Sequence, residues 1–359
     1  MTDPARRLPP GPFWSGPIEY ALPPELIAQR PAARRQDARL MIVDRAHGEI
    51  RHSRFAEFPE LIGGHDIVVA NDSRVFPARI VGTKPTGGRV ELLLLASGPA
   101  GGVAALAGSS KPLRVGQTVE LAGGAARCVV SRVGRAGRCW LDFGSERVAE
   151  LLEQHGHVPL PPYIERGKRA LDDRLDRERY QTVFARDDAG RGSVAAPTAG
   201  LHLTDEAIAQ IRARGAQFAT VTLDVGPGTF SPIRADPADH AMQAERCSVG
   251  TGCARAINEA RAAGGRRVAI GTTTVRTLET ACDERGRVHA HDGDSDLFIR
   301  PGFAFRAVDA LVTNFHLPHS TLLCLVLAFG GDELVREAYR VAVAERYRFY
   351  SYGDAMLVL

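Results

Sequence analysis

Four short segments carry residue types suited to chemistry. Gly271-Thr272-Thr273-Thr274 follows an apolar run, Arg267–Ile270, and precedes a helical pattern bearing Arg276 and Glu279. Free N–H groups at a helix start bind anions, and threonine hydroxyls add donors; ordinary N-capping by threonine fits the same residues. Pro197-Thr198-Ala199-Gly200-Leu201-His202 combines small residues, which admit a ligand close to the backbone, with an imidazole able to act as acid or base near neutral pH. A turn with a histidine filling a core gap is the competing reading. Thr313-Asn314-Phe315-His316-Leu317-Pro318 places amide and imidazole at the end of an expected strand, where α/β proteins bind ligands. Asn71-Asp72-Ser73-Arg74 joins amide, carboxylate and guanidinium after another apolar run, or forms a turn with a surface ion pair.

The common signatures are absent. There is no G-x-x-x-x-G-K-[ST], no H-E-x-x-H and no G-x-S-x-G, and Ser231 stands where Gly226-Pro227-Gly228 would need its third glycine. The six cysteines, Cys128, Cys139, Cys247, Cys253, Cys282 and Cys324, show no C-x-x-C spacing. They read as reduced thiols of a cytoplasmic protein. The most apolar run, Leu322 to Phe329, is too short to cross a bilayer.

The elements positioning these segments fall into two textures. From Asp66 to Phe143 come short β-rich runs, at 66–70, 89–96, 117–121, 126–133 and 138–143, separated by glycine and proline clusters. That texture predicts a small barrel or sandwich. Before it lie a loose arm of about thirty residues, a strand at 40–44 and a short helix at 55–62. A helix at 145–155 follows. Beyond Pro159–Pro162, helices at 204–215, 253–263, 273–282, 320–329 and 332–347 alternate with strands at 217–225, 267–270 and 309–313. Alternation of this kind implies a mainly parallel sheet covered by helices. The expected fold is α/β, with 1–60 and 150–359 forming one domain and 61–149 an inserted all-β barrel.

With 359 residues, 44% hydrophobic and 24% charged, the chain has the balance of a folded protein of two domains. Lys+Arg 45 against Asp+Glu 42 leaves a net charge of only +3, so there is no global basic signature. Nearly all the basic residues are arginine; Lys84, Lys111 and Lys168 are the lysines. Arginine suits phosphate and planar-base recognition, and a GC-rich genome gives the same bias. Tyr347-Arg348-Phe349-Tyr350-Ser351-Tyr352 interleaves aromatics with arginine, as base-stacking surfaces and packed domain contacts both do.

Read in order, the chain carries Asn71 to Arg79, Pro159-Leu160-Pro161-Pro162-Tyr163-Ile164, Tyr180-Gln181-Thr182-Val183, Ala195 to His202, Gly226 to Phe230, Gly271 to Glu279, Thr313 to Pro318, and Tyr347 to Met356. This series resembles the S-adenosylmethionine:tRNA ribosyltransferase-isomerase family from about Leu22 onwards. The resemblance implies an α/β domain with an inserted barrel. It also implies transfer and rearrangement of the ribosyl part of S-adenosylmethionine onto a 7-aminomethyl-7-deazaguanine at the tRNA wobble position. The product is epoxyqueuosine, with adenine and methionine released. The implied partners are S-adenosylmethionine and the tRNA anticodon arm, with no metal, no redox cofactor and no membrane.

That chemistry needs a base beside the sulfonium and an acid for the departing adenine. In the matching segments His202, Glu245, Glu279 and His316 are the candidate catalytic groups. Candidate binding residues are Asn71, Asp72, Arg74 and Arg79; Thr198, Gly200, Gly226, Gly228 and Thr229; and Thr272, Thr273, Arg276, Asn314 and Asp354. Thr272 and Thr273 would take the methionine carboxylate. The chain departs from the family's usual Leu-His-Val-Gly at Asp224, from Met-His-Ser-Glu at Gln243 and Ala244, and from an aromatic at Arg300. Two other functions follow from those departures: an S-adenosylmethionine-dependent transferase with another acceptor, and a non-catalytic RNA-binding paralogue.

Overall fold

The computed structural model describes residues 13–97, 102–145, 147–166, 173–186, 193–226, 228, 233, 240 and 242–359. A nine-stranded sheet forms the larger body. Its order is His291–Ser295, Glu245–Val249, Gln217–Leu223, Ile67–Asn71, Arg267–Ile270, Ala310–Asn314, Ala355–Val358, Arg39–Asp44 and Glu49–Arg54. The strands Gln217–Leu223, Ile67–Asn71, Arg267–Ile270 and Ala310–Asn314 are mutually parallel. Antiparallel pairings extend the sheet on both sides of that parallel centre, so the whole is mixed.

Alternate residues of these strands enter two separate cores. Met41, Val43, Ile67, Val69 and Leu311 face the helices Thr251–Ala262, Thr272–Thr280, Thr321–Gly330 and Asp332–Ala344. Leu40, Ile42, Val68, Ala70 and Val312 face the helix Asp205–Ala213 and the turn of 3₁₀ helix Phe55–Leu61. Pro59 lies inside that turn, and its ring would clash with the Phe55 carbonyl in an α-helix, which disfavours the ordinary helix that was expected. Ile18, Tyr20 and Leu26 are buried in the first core, so residues 13–30 are packed chain rather than a loose arm.

Six strands close the barrel, in the order Ala126–Val133, Arg138–Asp142, Val103–Ser109, Arg89–Ser97, Arg79–Thr83 and Thr118–Leu121. Ile80, Leu92, Val119, Val130 and Leu141 fill it, and Leu151 and Leu152 of the helix Val148–His155 pack against them. The strand Ile67–Asn71, placed by expectation in the barrel segment 61–149, belongs to the large sheet. All five of its residues are buried, as a central parallel strand requires. Its continuous apolar run, without alternation, was the available sign.

Candidate active site

The parallel strands end on one cleft, the place where open α/β sheets bind ligands. Chain leaving Arg267–Ile270 contributes Gly271, Thr272 and Thr273, and chain leaving Ala310–Asn314 contributes Asn314, His316 and the loop to Ser320. The segment 195–199 and Val225 form another wall, and Tyr163, Tyr180, Tyr350 and Ser351 the remaining one. Among the described lining residues none is Asp, Glu, Lys or Arg. Neutral donors, acceptors and aromatic faces therefore make this surface.

Gly271 sits at φ +91°, a conformation that glycine adopts without strain, and its N–H donates to the Val312 carbonyl at 2.7 Å. The turn aims the first amides of the helix Thr272–Thr280 at the cleft. The Thr273 hydroxyl accepts from Asn71 Nδ2 at 3.2 Å, which leaves Thr272 as the freer of the two.

Asn314 is held by two acceptors. Its Nδ2 donates to the Tyr350 carbonyl at 3.1 Å and to His202 Nε2 at 3.2 Å. The carbonyl contact fixes which end of the amide is the donor, so His202 Nε2 accepts and the His202 proton lies on Nδ1. Asn314 Oδ1 is buried without a hydrogen-bond partner among the described residues. An orphaned acceptor in a cleft wall is a place for a ligand N–H or O–H.

His316 Nε2 is 2.7 Å from Thr313 Oγ1, and its backbone N–H donates to the Tyr339 hydroxyl at 3.0 Å. Burial pushes the imidazole down to about 3, so it is neutral at physiological pH. Tyr163 and Tyr350 pack with their ring planes tilted by 40° and centroids 4.5 Å apart, and the Tyr163 hydroxyl lies 2.7 Å from Ser351 Oγ. His319, at the cleft lip, takes a left-handed φ of +58°.

Of the expected residues, Thr198, Thr272, Thr273, Asn314 and His316 line the cleft. The others serve the frame. His202 is buried behind Asn314, 5.0 Å from the Phe55 ring, and burial with the nearby Arg35 and Arg348 pushes it down to about 4. It positions Asn314 and does not face the cleft. Glu279 accepts the amides of Arg306 and Ala307 at 3.0 and 2.9 Å, at the far end of its helix. Asp354 accepts the amides of Arg39 and Arg348 at 2.9 and 2.8 Å. Glu245 accepts from the Gly226 amide at 2.8 Å and is ion-paired with Arg276, whose Nε donates to the Leu297 carbonyl at 3.1 Å.

Asn71 is likewise a strut: its Oδ1 accepts the amides of Ser73 and Leu223, both at 3.0 Å, which locks two parallel strand ends together. Asp72 accepts from Thr222 Oγ1 at 2.7 Å. Arg74 lies 3.7 Å from Glu153, and Arg79 is in the barrel, 3.4 Å from Glu91. Gly200 packs on Phe184, where a Cβ would come within 2.9 Å of the ring, and Gly228 packs on Gln243. Thr229 lies outside the described residues. The departures Asp224 and Gln243 are not in the lining; Asp224 is 3.6 Å from Arg186.

Tyr163, Tyr180, Tyr350 and Ser351 were not among the expected site residues. Their signal was present in the Pro-Pro-Tyr-Ile segment for Tyr163, in Tyr-Gln-Thr-Val for Tyr180, and in the aromatic–arginine stripe for Tyr350 and Ser351.

Among the described residues no group of three or more metal-ligating side chains occurs, and no helix is long and apolar enough to cross a membrane. All six cysteines are free.

A family model described as "Queuosine biosynthesis protein" matches residues 17–358. An S-adenosylmethionine:tRNA ribosyltransferase-isomerase of Anaeromyxobacter sp. (strain Fw109-5) is 51% identical over 345 residues, 95% of this chain and 97% of its own. One from Geobacter metallireducens is 50% identical over 344 residues, 95% of this chain and 98% of its own. The crystal structure of an S-adenosylmethionine tRNA ribosyltransferase from Thermotoga maritima matches with a TM-score of 0.54 at 35% identity, over 96% of this chain and 100% of that one. The chain belongs to the queuosine biosynthesis protein family, in which the S-adenosylmethionine:tRNA ribosyltransferase-isomerases are its relatives at about half identity.

Proposed function

We infer that this chain is a transferase and isomerase that moves the ribosyl part of S-adenosylmethionine onto the 7-aminomethyl-7-deazaguanine of tRNA, giving epoxyqueuosine and releasing adenine and methionine. The observation that carries this reading is a cleft of uncharged polar and aromatic groups at the ends of four parallel strands, in a chain about 50% identical to enzymes of that name. The tRNA element addressed is the anticodon arm, S-adenosylmethionine is a substrate rather than a cofactor, and the enzyme works in the cytoplasm.

The groups divide the work by their chemistry. Amides at the start of the helix Thr272–Thr280, with the Thr272 hydroxyl, hold the methionine carboxylate. The electron-rich faces of Tyr163 and Tyr350 sit against the sulfonium, a cation that needs no carboxylate when it lies on aromatic rings. Asn314 Oδ1 accepts a hydrogen bond from the substrate, and His202 and the Tyr350 carbonyl fix its angle. His316 is neutral and can therefore receive the proton lost beside the sulfonium. Burial holds its proton affinity low, so negative charge developing on the substrate has to raise it as the proton moves.

The test is nucleoside analysis after incubating the purified protein with S-adenosylmethionine and tRNA carrying the aminomethyl-deazaguanine. Epoxyqueuosine with stoichiometric adenine is the expected result. Folded protein that binds S-adenosylmethionine and yields neither product overturns the reading.

A further inference from the structure

The positive charge of this chain is concentrated where the cleft is not. Between Arg79 and Asp142 there are nine Lys or Arg and three Asp or Glu, an excess of six, whereas the whole chain has an excess of only three. A genomic preference for arginine would not confine the excess to one body.

Strand pairing places most of these residues at one end of the barrel. The end at Ala78–Arg79 is tied to the larger body by the Arg79–His157 bridge. The strand Arg79–Thr83 runs away from that junction, and so does Val103–Ser109, whose seven residues span about 20 Å. Val90 pairs with Ser109 and Arg138 with Leu106, so the turns after Thr83, after Ser109 and after Val133 share the far end. The Gly116 amide donates to the Val130 carbonyl, which brings the loop of Arg114 to the same side. Arg89, Lys111, Arg114, Arg132, Arg135 and Arg138 thus form one exposed rim. Glu91, 4.0 Å from Arg89 and 3.4 Å from Arg79, and Glu120, opposite Arg127, are the nearest acids. Lys111, Arg114, Arg132, Arg135 and Arg138 have no acidic partner within 4 Å among the described residues. The Arg132 guanidinium lies over the Trp140 ring, 4.5 Å from its centroid.

We propose that this far rim of the barrel docks the phosphate backbone of tRNA, away from the nucleotide being modified. The proposal rests on the reading that tRNA is the acceptor. Unpaired guanidiniums on a rigid sheet end suit phosphate oxygens, and contacts of this kind set register and affinity without reading sequence. An RNA helix is long enough to reach both the cleft and a rim about 20 Å beyond the junction of the two bodies.

The test uses the full chain with Arg132, Arg135 and Arg138 all replaced by serine. A second variant replaces the three by lysine. A control replaces the exposed Arg255, Arg285 and Arg287 of the larger body by serine. Binding of tRNA is measured from 0.05 to 0.3 M salt, with S-adenosylmethionine binding and product formation at saturating tRNA alongside. Three lost phosphate contacts lower the slope of log affinity against log salt by about 2–3 and weaken binding at 0.1 M salt at least ~10-fold. The lysine variant and the control keep the slope, and S-adenosylmethionine binding and saturated turnover stay as in the unaltered protein. A folded serine variant that binds tRNA with unaltered affinity and slope overturns the proposal, as does an equal loss in the control. Unaltered protein that binds tRNA and forms no epoxyqueuosine overturns the functional reading and leaves the rim's salt dependence as its own measurement. Unaltered protein that binds no tRNA overturns both.

Discussion

Replacing His202 by glutamine separates a catalytic histidine from a positioning one. Its imidazole is buried and held neutral, pushed from an ordinary 6.5 to about 4 by burial and then by the charges of Arg35 and Arg348. A ten-fold change in proton affinity is about 1.4 kcal/mol, so the gap corresponds to ~3 kcal/mol. Unfolded chain binds a proton at this residue between pH 6.5 and about 4, and folded chain does not. Stability from this group is therefore fully present above 6.5 and is lost as pH falls towards 4. Glutamine carries no proton and keeps an acceptor for Asn314 Nδ2. Denaturant unfolding of both proteins at pH 7.5, 6, 5 and 4.5 should show the unaltered protein losing up to ~3 kcal/mol more than the variant as pH falls. Turnover at pH 7.5 should stay within about ten-fold, because loss of a true general base costs ~10²–10⁴. Parallel stability curves, or a turnover loss beyond 100-fold in folded protein, would refute the assignment of His202 as a buried neutral prop.

Three further outcomes follow from the same contacts. His316→Gln should leave S-adenosylmethionine binding intact in calorimetry and cut turnover by ~10²–10⁴ if His316 handles the proton. Asp354→Ala leaves the amides of Arg39 and Arg348 without their acceptor, and unfolding experiments should show a loss of ~2–6 kcal/mol at about 1–3 kcal/mol per orphaned group. Thr272→Val should weaken S-adenosylmethionine binding several-fold with unchanged stability, whereas Thr273→Val, which removes an acceptor of Asn71, should lower stability by ~1 kcal/mol.

The fold was more legible than the site. Strands rich in valine and isoleucine, such as Ile67–Asn71 and Arg267–Ile270, announced themselves by composition, although not the sheet they join. Val103–Ser109, mostly alanine with a glycine and a serine and only Val103 and Leu106 as larger apolar residues, carries little β propensity, and its place in the barrel is set by its neighbours. Glu49–Arg54 and His291–Ser295 are polar edge strands, and no apolar run marks them in the sequence. At the site, Asn314, His316 and the threonines were found from their position after strands. Glu279 and Asp354 looked equally suited to catalysis because their partners are backbone amides. Every non-proline residue supplies one, so the pairing leaves no trace in residue type. The tyrosine wall is drawn from three separate segments, at Tyr163, Tyr180 and Tyr350, and the sequence does not specify that they meet.

The strand Ala355–Val358 lies inside the sheet, hydrogen-bonded to Ala310–Asn314 on one side and to Arg39–Asp44 on the other. A growing polypeptide therefore holds an open seam in its largest sheet until residue 358 has left the ribosome. The barrel strands, complete by Asp142, precede that moment by roughly ten to forty seconds at about 5–20 residues per second. Tyr350 and Ser351 arrive with the closing strand, so the cleft is finished only when the seam is filled. Nascent or prematurely terminated chains are thus denied a complete binding site and expose two sheet edges instead, a state that quality-control proteases and chaperones can recognise.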